Sequence, residues 1–147
     1  MSQFSDIHNN MAIAVLMASA DTTATTSTDY VDMALWSSVE FIFLCAGATG
    51  GDGSSHYFTL TLQESTTTTG TDFSTVAAAD MLGTMAITAD TAAYTERVQY
   101  VGGERYVRMT ITETGTISAA VCTVLAICHG HAHPPVDDDD VTSATAA

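Results

Sequence analysis

The residue types best suited to metal chemistry lie near the end of the chain, in the run His129-Gly-His131-Ala-His133. Alternate side chains of an extended strand face the same way, and imidazole is a common zinc ligand. A single extended segment rarely surrounds a metal tetrahedrally, however, and no carboxylate is fixed beside the run by spacing. We therefore expect the run to end a strand before Pro134-Pro135 and to bind no metal.

The other candidate motifs are incomplete. The loop 50–53 (GGDG) lacks the ligand spacing of an EF-hand and the Lys-Ser/Thr of a P-loop, which favours a flexible turn. The run Asp137–Asp140 is typical of a solvated acidic tail. No G-x-S-x-G nucleophile elbow occurs, and no motif singles out an acid–base pair. We expect no catalytic residues, no cofactor and no enzymatic activity.

The three cysteines, Cys45, Cys122 and Cys128, are odd in number and form no CxxC motif. Cys122 and Cys128 lie in one predicted strand at a separation of about 20 Å, which is too far for a disulfide. They are predicted to be small core residues of a chain made in a reducing cytoplasm.

The charge of the chain excludes two classes of partner. It has 17 acidic residues, three arginines and no lysine, for a formal net charge of −14. Such a chain is repelled by phosphate backbones, so we expect no nucleic acid and no anionic membrane as partner. No apolar run approaches the roughly 18 residues of a membrane span. Two interpretations of the acidity stay open, namely solubility and attraction to a basic partner surface.

Short apolar runs bounded by turn residues predict a single β domain over residues 1–136, followed by an acidic tail at 137–147. The predicted strands are Ala12–Met17, Tyr30–Trp36, Val39–Cys45, His56–Gln63, Tyr94–Val101, Arg105–Thr112 and Ile117–Cys128. Several short strands at this spacing indicate a β-sandwich or barrel. One short helix is predicted over Ser74–Leu82, with Ser74 as its cap and Gly83 in the left-handed position after it.

The side-chain patterns differ between strands. The fourth and sixth alternate, with Phe58, Leu60 and Leu62 on one face of the fourth, which is typical of one buried and one wet face. The third and seventh are apolar on both faces, so each lies either at the centre of a two-layer core or beneath a neighbouring subunit. The first, in the apolar segment Met11–Ala20, resembles a signal peptide without its positive residues and is interpreted as a buried strand.

The dipeptide Gly102-Gly103 predicts a β-hairpin that joins Tyr94–Val101 to Arg105–Thr112. A two-residue loop places Arg97 opposite Arg108, and a four-residue loop places Gln99 beside Arg108. Either register gathers the positive charge of the chain on one hairpin.

Two interpretations of that charge stay open. In the first, the arginines pair within the chain, with Glu40, Glu64 or Glu96. In the second, they face a carboxylate-bearing partner, because like charges on paired strands are unfavourable unless an anionic group lies across them. The partner-binding residues are then Arg97, Arg105, Tyr106 and Arg108.

Four segments together resemble a family of small tailed-phage virion proteins, the head decoration or cement proteins. They are LTLQES from Leu60, FSTVAAADMLG at Phe73–Gly83, YVGGERYVRMTITETG at Tyr100–Gly115 and AAVCTVLAICHGHAHPPV at Ala119–Val136. The resemblance covers about half of the chain and contains no catalytic residue. The absence of lysine and the acidic tail depart from the family pattern.

The resemblance implies a jelly-roll-like β-sandwich or barrel that oligomerises on a capsid lattice, as a trimer in preference to a dimer. It implies a structural protein on the outer surface of the virion capsid, made in the host cytoplasm, that stabilises the head by bridging major capsid subunits. The alternative is a tail or fibre module that binds a host-surface glycan. That function would require exposed aromatic side chains, for which the candidates are Trp36, Tyr57 and Tyr106.

Overall fold

The computed structural model describes residues 11–22, 24–85 and 93–130. In these ranges the chain forms nine β-strands, and helical structure is limited to three short 3-10 turns. The strands are β1 (Met11–Asp21), β2 (Thr26–Asp32), β3 (Ser38–Thr49), β4 (Tyr57–Ser65), β5 (Ser74–Thr75), β6 (Met81–Leu82), β7 (Tyr94–Tyr100), β8 (Tyr106–Thr114) and β9 (Ala119–His129). The predicted all-β class is confirmed. The predicted tail at 137–147 lies outside the described residues.

The strands build two antiparallel sheets that pack face to face. Sheet A has the order β1-β9-β3-β7-β6, and sheet B has the order β2-β8-β4-β5. The long strands of the described ranges alternate between the sheets in chain order, which is the wrapping of a jelly roll, and the short strands β5 and β6 each lie at one edge. The predicted β-sandwich is therefore confirmed.

The core lies between the sheets and follows from the alternation of side chains. Its largest fully buried members are Tyr100, Phe41, Phe43, Phe58, Leu62, Met109, Ile111 and Ile117. Burial of each such side chain contributes about 1.5–3 kcal/mol. The three cysteines form no disulfide and are buried in this core, as predicted. Within the described ranges, no helix is long and apolar enough to span a membrane.

The predicted hairpin between β7 and β8 is wrong. β7 pairs with β3 and β6 in sheet A, whereas β8 pairs with β2 and β4 in sheet B. The connection between them crosses from one sheet to the other. Its backbone groups bond elsewhere, because Val101 N donates to Asp80 O (2.9 Å) and Glu104 N donates to the Tyr100 hydroxyl (2.9 Å).

The predicted helix over Ser74–Leu82 is also wrong. Ser74 does not cap a helix but pairs with Glu64 as part of β5. The N–H of Val76 continues this pairing by donating to Leu62 O (3.0 Å). Only Ala78–Asp80 takes up a 3-10 turn, and β6 follows it directly. The edges of both sheets thus hold this segment in short extended pieces.

Candidate partner-binding surfaces

The four predicted partner-binding residues fall on two opposite surfaces. Arg97 lies on β7, with its side chain on the outer face of sheet A. Arg105 precedes β8, and Tyr106 and Arg108 lie on the outer face of that strand in sheet B. The prediction that one hairpin gathers all the positive charge is therefore wrong, and each arginine has its own surroundings.

Arg105 is bound by Asp32 in a bidentate ion pair. Its Nε donates to Oδ1 of Asp32 (3.1 Å), and its Nη2 donates to Oδ2 (2.9 Å). These hydrogen bonds raise the pKa of Arg105 above its ordinary value. The same carboxylate accepts from Ala34 N (3.0 Å) and so begins the 3-10 turn after β2. The guanidinium also lies over the Tyr106 ring, 5.0 Å from its centroid, and stays more than half exposed.

Arg108 is covered by the loop between β4 and β5. Its Nε donates to Gln63 Oε1 (3.0 Å), its Nη2 donates to Gly70 O (3.1 Å), and its guanidinium lies 4.1 Å from the centroid of the Phe73 ring. Only 9% of the residue is exposed, and burial lowers the pKa of Arg108. Arg108 thus fastens this loop to sheet B, and its role toward a partner stays a prediction.

Aromatic rings join these two arginines into one surface. Tyr30 packs edge-on against Tyr106 (5.2 Å between centroids) and lies tilted against Phe73 (6.4 Å). We call Tyr30, Phe73, Arg105, Tyr106 and Arg108 the aromatic–arginine cluster. Its accessible part is the exposed Arg105 with the half-buried Tyr106 and Phe73, because Tyr30 and Arg108 are buried.

The rest of the outer face of sheet B carries hydroxyl groups. Thr59 pairs with Thr112 and Thr61 with Thr110, all four half-buried on the face that points away from the core. Such a polar outer face is what an alternating strand predicts for contact with water.

The outer face of sheet A is different, because it is apolar. Its apolar members, which we call the apolar face, are Ile13 and Val15 of β1, Ile42 and Leu44 of β3, and Val121, Leu125 and Ile127 of β9. Ile13 is 58% exposed, Val15 55% and Val121 45%. The interpretation of β1 as a buried strand is wrong at these positions, because β1 is an edge strand of sheet A.

One ion pair borders the apolar face. Arg97 Nη1 lies 3.5 Å from Glu40 Oε1, and the Arg97 side chain is 77% exposed. Pairing of an arginine with Glu40 was one of the two interpretations left open by the sequence, and it is observed for Arg97. Glu64 instead accepts a hydrogen bond from the Tyr100 hydroxyl (2.7 Å).

A shallow depression of about 320 Å³ opens at one end of the apolar face. It is lined by Ser19, Leu44, Cys45, Ala46, Ala93, Tyr94, Thr95, Val121 and Thr123. Its walls are mainly apolar, and they come from four adjacent strands of sheet A and the residue before β7. The depression is a concavity in a surface that is otherwise built of protruding aliphatic side chains.

Among the described residues, the side chains considered for metal binding or catalysis are either far apart or buried. No three His, Cys, Asp or Glu side chains converge there on a possible metal position. His129 ends β9, whereas His131 and His133 lie outside the described residues. Burial raises the pKa of Cys128 to about 12, so its thiol is a poor nucleophile at neutral pH.

The GGDG loop, for which a flexible turn is predicted, carries a set of hydrogen bonds to the Asp52 carboxylate. Oδ1 of Asp52 accepts from the backbone N–H groups of Ser54 (2.9 Å), Ser55 (2.6 Å) and His56 (2.9 Å). The amide of His56, followed by that of Ser55 and the His56 ring, holds the pKa of Asp52 well below its usual value. The carboxylate closes the turn, and its Oδ1 is already used by these three backbone hydrogen bonds.

Comparison with models of protein families and with curated proteins found no match to this chain.

Proposed function

We propose that this chain is a structural virion protein that decorates a phage capsid and stabilises it by bridging major capsid subunits. The observation that carries the proposal is the difference between the two outer faces of the jelly roll. Sheet B has a hydroxyl-rich face with an accessible Arg–Tyr pair, whereas sheet A has an apolar face with exposed Ile13 and Val15. A domain with two unlike faces fits a protein that meets two different protein surfaces.

In this proposal the aromatic–arginine cluster meets the major capsid protein. Arginine and tyrosine are enriched among the side chains that dominate binding energy at protein interfaces. Arg105 keeps exposed guanidinium surface beyond its contacts with Asp32, so it can donate to a carboxylate of the capsid. The apolar face is left for contact between copies of the chain.

The glycan-binding alternative has less support. It requires aromatic side chains that are open to solvent, and Trp36, the one tryptophan of the chain, is only 6% exposed. Tyr57 and Tyr106 are half-buried. They lie at opposite ends of the β4–β8 pair, since Tyr57 pairs with Thr114 and Tyr106 with Ser65.

Copy number on purified particles tests the proposal. A decoration protein is present in a fixed ratio to the major capsid protein, in hundreds of copies, and an antibody against it labels the whole head surface. Quantitative mass spectrometry of particles with and without tails measures this ratio. A few copies that disappear with the tails would show a tail or fibre module, and absence from particles would refute a virion role.

A further inference from the structure

We propose that a second copy of this chain docks on the apolar face of sheet A, related to the first by a two-fold axis that brings Glu40 of each copy to Arg97 of the other. The inference deepens the proposed function and rests on it in one respect, because association between copies is part of that function. It names the surface, the symmetry and the ion pair of that contact, and it takes the dimer rather than the trimer that the resemblance favours.

The distribution of charge favours a second copy over other occupants. Copies with a net charge of −14 repel one another except where their facing surfaces are neutral. The two charged side chains described beside the apolar face, Glu40 and Arg97, have opposite sign and cancel. Two copies can therefore meet here without bringing uncompensated carboxylates together, whereas a basic partner would find little to pair with.

The ion pair is also suited to exchange between copies. Its 3.5 Å separation is long, and the Arg97 side chain is mostly exposed, so the guanidinium has donors left for another acceptor. In a two-fold interface, residue i of one copy contacts residue j of the other, and j contacts i. Neighbouring residues of opposite charge are self-complementary under that symmetry.

The register of sheet A fixes where such an axis lies. Arg97 pairs with Ile42, so Arg97 is one strand and one same-face step away from Glu40. Neighbouring strands are about 4.8 Å apart, and residues on the same face of a strand are about 6.6 Å apart. If the four strands are treated as flat, the two-fold axis lies in the plane between the two facing sheets. The axis that places Glu40 of one copy over Arg97 of the other then passes close to Ile42 and Leu125. The centre of the contact is then aliphatic.

The same axis places the exposed side chains of β1 over the depression. Ile13 lies in the row of Glu40, and Val15 lies in the row of Ile42. The two-fold operation carries Ile13 of the second copy to a point between Leu44 and Thr95, which both line the depression. It carries Val15 over Thr123, on the opposite wall. Protruding side chains of each copy thus fill the concavity of the other.

The size of the face indicates a reversible dimer. Four strands and four same-face steps give a footprint of about 19 by 26 Å, or about 500 Å² in plane. This is within the range of about 300–600 Å² for the largest apolar patch of a monomer, which is often functional. Stable complexes bury about 600–1,000 Å² of accessible surface per partner, so a contact of this size falls below that class and among weak, reversible associations.

Charge exchange on the full chain tests this geometry by sedimentation equilibrium. The wild-type chain is expected to form a reversible dimer, and Arg97→Glu or Glu40→Arg alone should weaken it at least about tenfold. A mixture of these two variants should restore dimerisation, since one face then carries two acidic and the other two basic side chains. Each variant still lacks the ion pair within its own chain, so the restoration reports contact between copies.

Two further variants separate the face from general effects of charge. Ile13→Glu should abolish the dimer, because it places a carboxylate in the apolar depression of the second copy. Thr116→Glu and Thr116→Arg change the charge of an exposed loop residue outside sheet A and should leave the dimer unchanged. Circular dichroism spectra and melting curves of all variants check that the fold is kept.

Several outcomes would overturn the inference. A wild-type chain that is monomeric at every concentration, a trimer, or a mixture that does not restore dimerisation would each contradict it. If the chain decorates heads, is monomeric in solution and loses head binding with Ile13→Glu, the capsid occupies the apolar face, and the proposed function stands without this dimer. If the dimer forms but particles lack the chain, the proposed function fails and the dimer stands.

Discussion

The three arginines of this acidic chain are used in three physically different ways. Arg105 is neutralised by a bidentate carboxylate, Arg97 by a longer and exposed ion pair, and Arg108 is held by an amide oxygen, a carbonyl and an aromatic ring. The extent to which each guanidinium is buried decides how much it contributes to the stability of the fold. A removed surface charge costs little, whereas the removal of a desolvated guanidinium leaves its acceptors unpaired.

Arg108 is therefore expected to contribute to stability. Arg108→Ala should lower the free energy of unfolding by about 2–3 kcal/mol, because two hydrogen bonds from a charged donor and the contact with Phe73 are lost. Arg108→Lys should recover part of this, since lysine keeps the charge but not the planar fork. Urea unfolding measures both variants. Arg105→Ala is the control at under about 1 kcal/mol, and an equal effect of the two alanine variants would contradict the assignment.

The Asp52 carboxylate is expected to make a contribution to the free energy of unfolding that depends on pH. Its folded-state pKa is lowered from the ordinary 3.8, so between the two values the unfolded chain binds more protons than the folded chain. The contribution is complete above about pH 4 and is lost as the pH falls through the folded-state value. The difference in unfolding free energy between wild type and Asp52→Asn should shrink with acidification. A difference that does not change with pH would show that the carboxylate charge is not involved.

At the scale of the elements, the alternation of apolar and polar side chains predicted the strands correctly. The turn residues, in contrast, did not predict which strands pair with each other. Phe58, Leu60 and Leu62 point inward as their spacing indicated. The Gly102-Gly103 signal marked a real change of direction, but a local signal does not determine whether the chain returns beside itself or crosses to the other sheet. Tyr100 lies at the point where the chain crosses to the other sheet. Its ring lies beneath Gly102, and its hydroxyl bonds Glu64 of sheet B.

The same crossing predicts unequal effects at the two glycines. A Cβ on Gly102 would lie 2.5 Å from the Tyr100 hydroxyl oxygen and 2.6 Å from two atoms of its ring, whereas a Cβ on Gly103 meets nothing within 4 Å. Gly102→Ala should destabilise the fold by about 1–3 kcal/mol through overpacking. Gly103→Ala is the matched control and should change stability by less than about 0.5 kcal/mol. Thermal or urea unfolding compares them, and equal effects would show that the Tyr100 ring moves freely.

The segment 74–82 shows why the helix prediction failed. Its alanines favour a helix by intrinsic propensity, but a helix this short is marginal without tertiary packing. The unpaired edges of β4 and β7 offer backbone partners instead, and the segment uses both, through β5 and β6. Neither edge could be located before the topology was known.

At the scale of the whole molecule, the candidate surfaces could be predicted only in part. The two-sided apolar pattern of β3 and β9 anticipated the apolar face, because it left a covering neighbour as one explanation. The exposure of Ile13 and Val15 could not be anticipated, since it depends on β1 being an edge strand rather than a central one. Likewise, the spacing of Arg105 and Arg108 could not show that a distant loop covers only the second.

The proposed capsid contact predicts a specific loss at Arg105. Arg105→Ala should weaken the affinity of the chain for heads by about tenfold and so lower its occupancy. Heads should then be less resistant to heat, because a protein that binds the assembled lattice stabilises it by mass action. Thr59→Ser, which keeps a hydroxyl elsewhere on sheet B, is the control. Binding of the purified chain to undecorated heads measures occupancy. Normal occupancy by Arg105→Ala would place the capsid contact on another surface.

The order of strands in sheet A also determines when the domain can be completed during synthesis. β9 lies between β1 and β3, yet it leaves the ribosome after every other described strand. Until then β1 has no neighbour in its sheet, because β9 is the strand with which it pairs. We therefore expect the domain to close only after synthesis of β9, in a late step dominated by contacts between distant parts of the chain, which is the slow regime of two-state folding. A chain that stalls before Ala119 would expose β1 and β3 to other nascent copies, so productive folding depends on fast completion of β9.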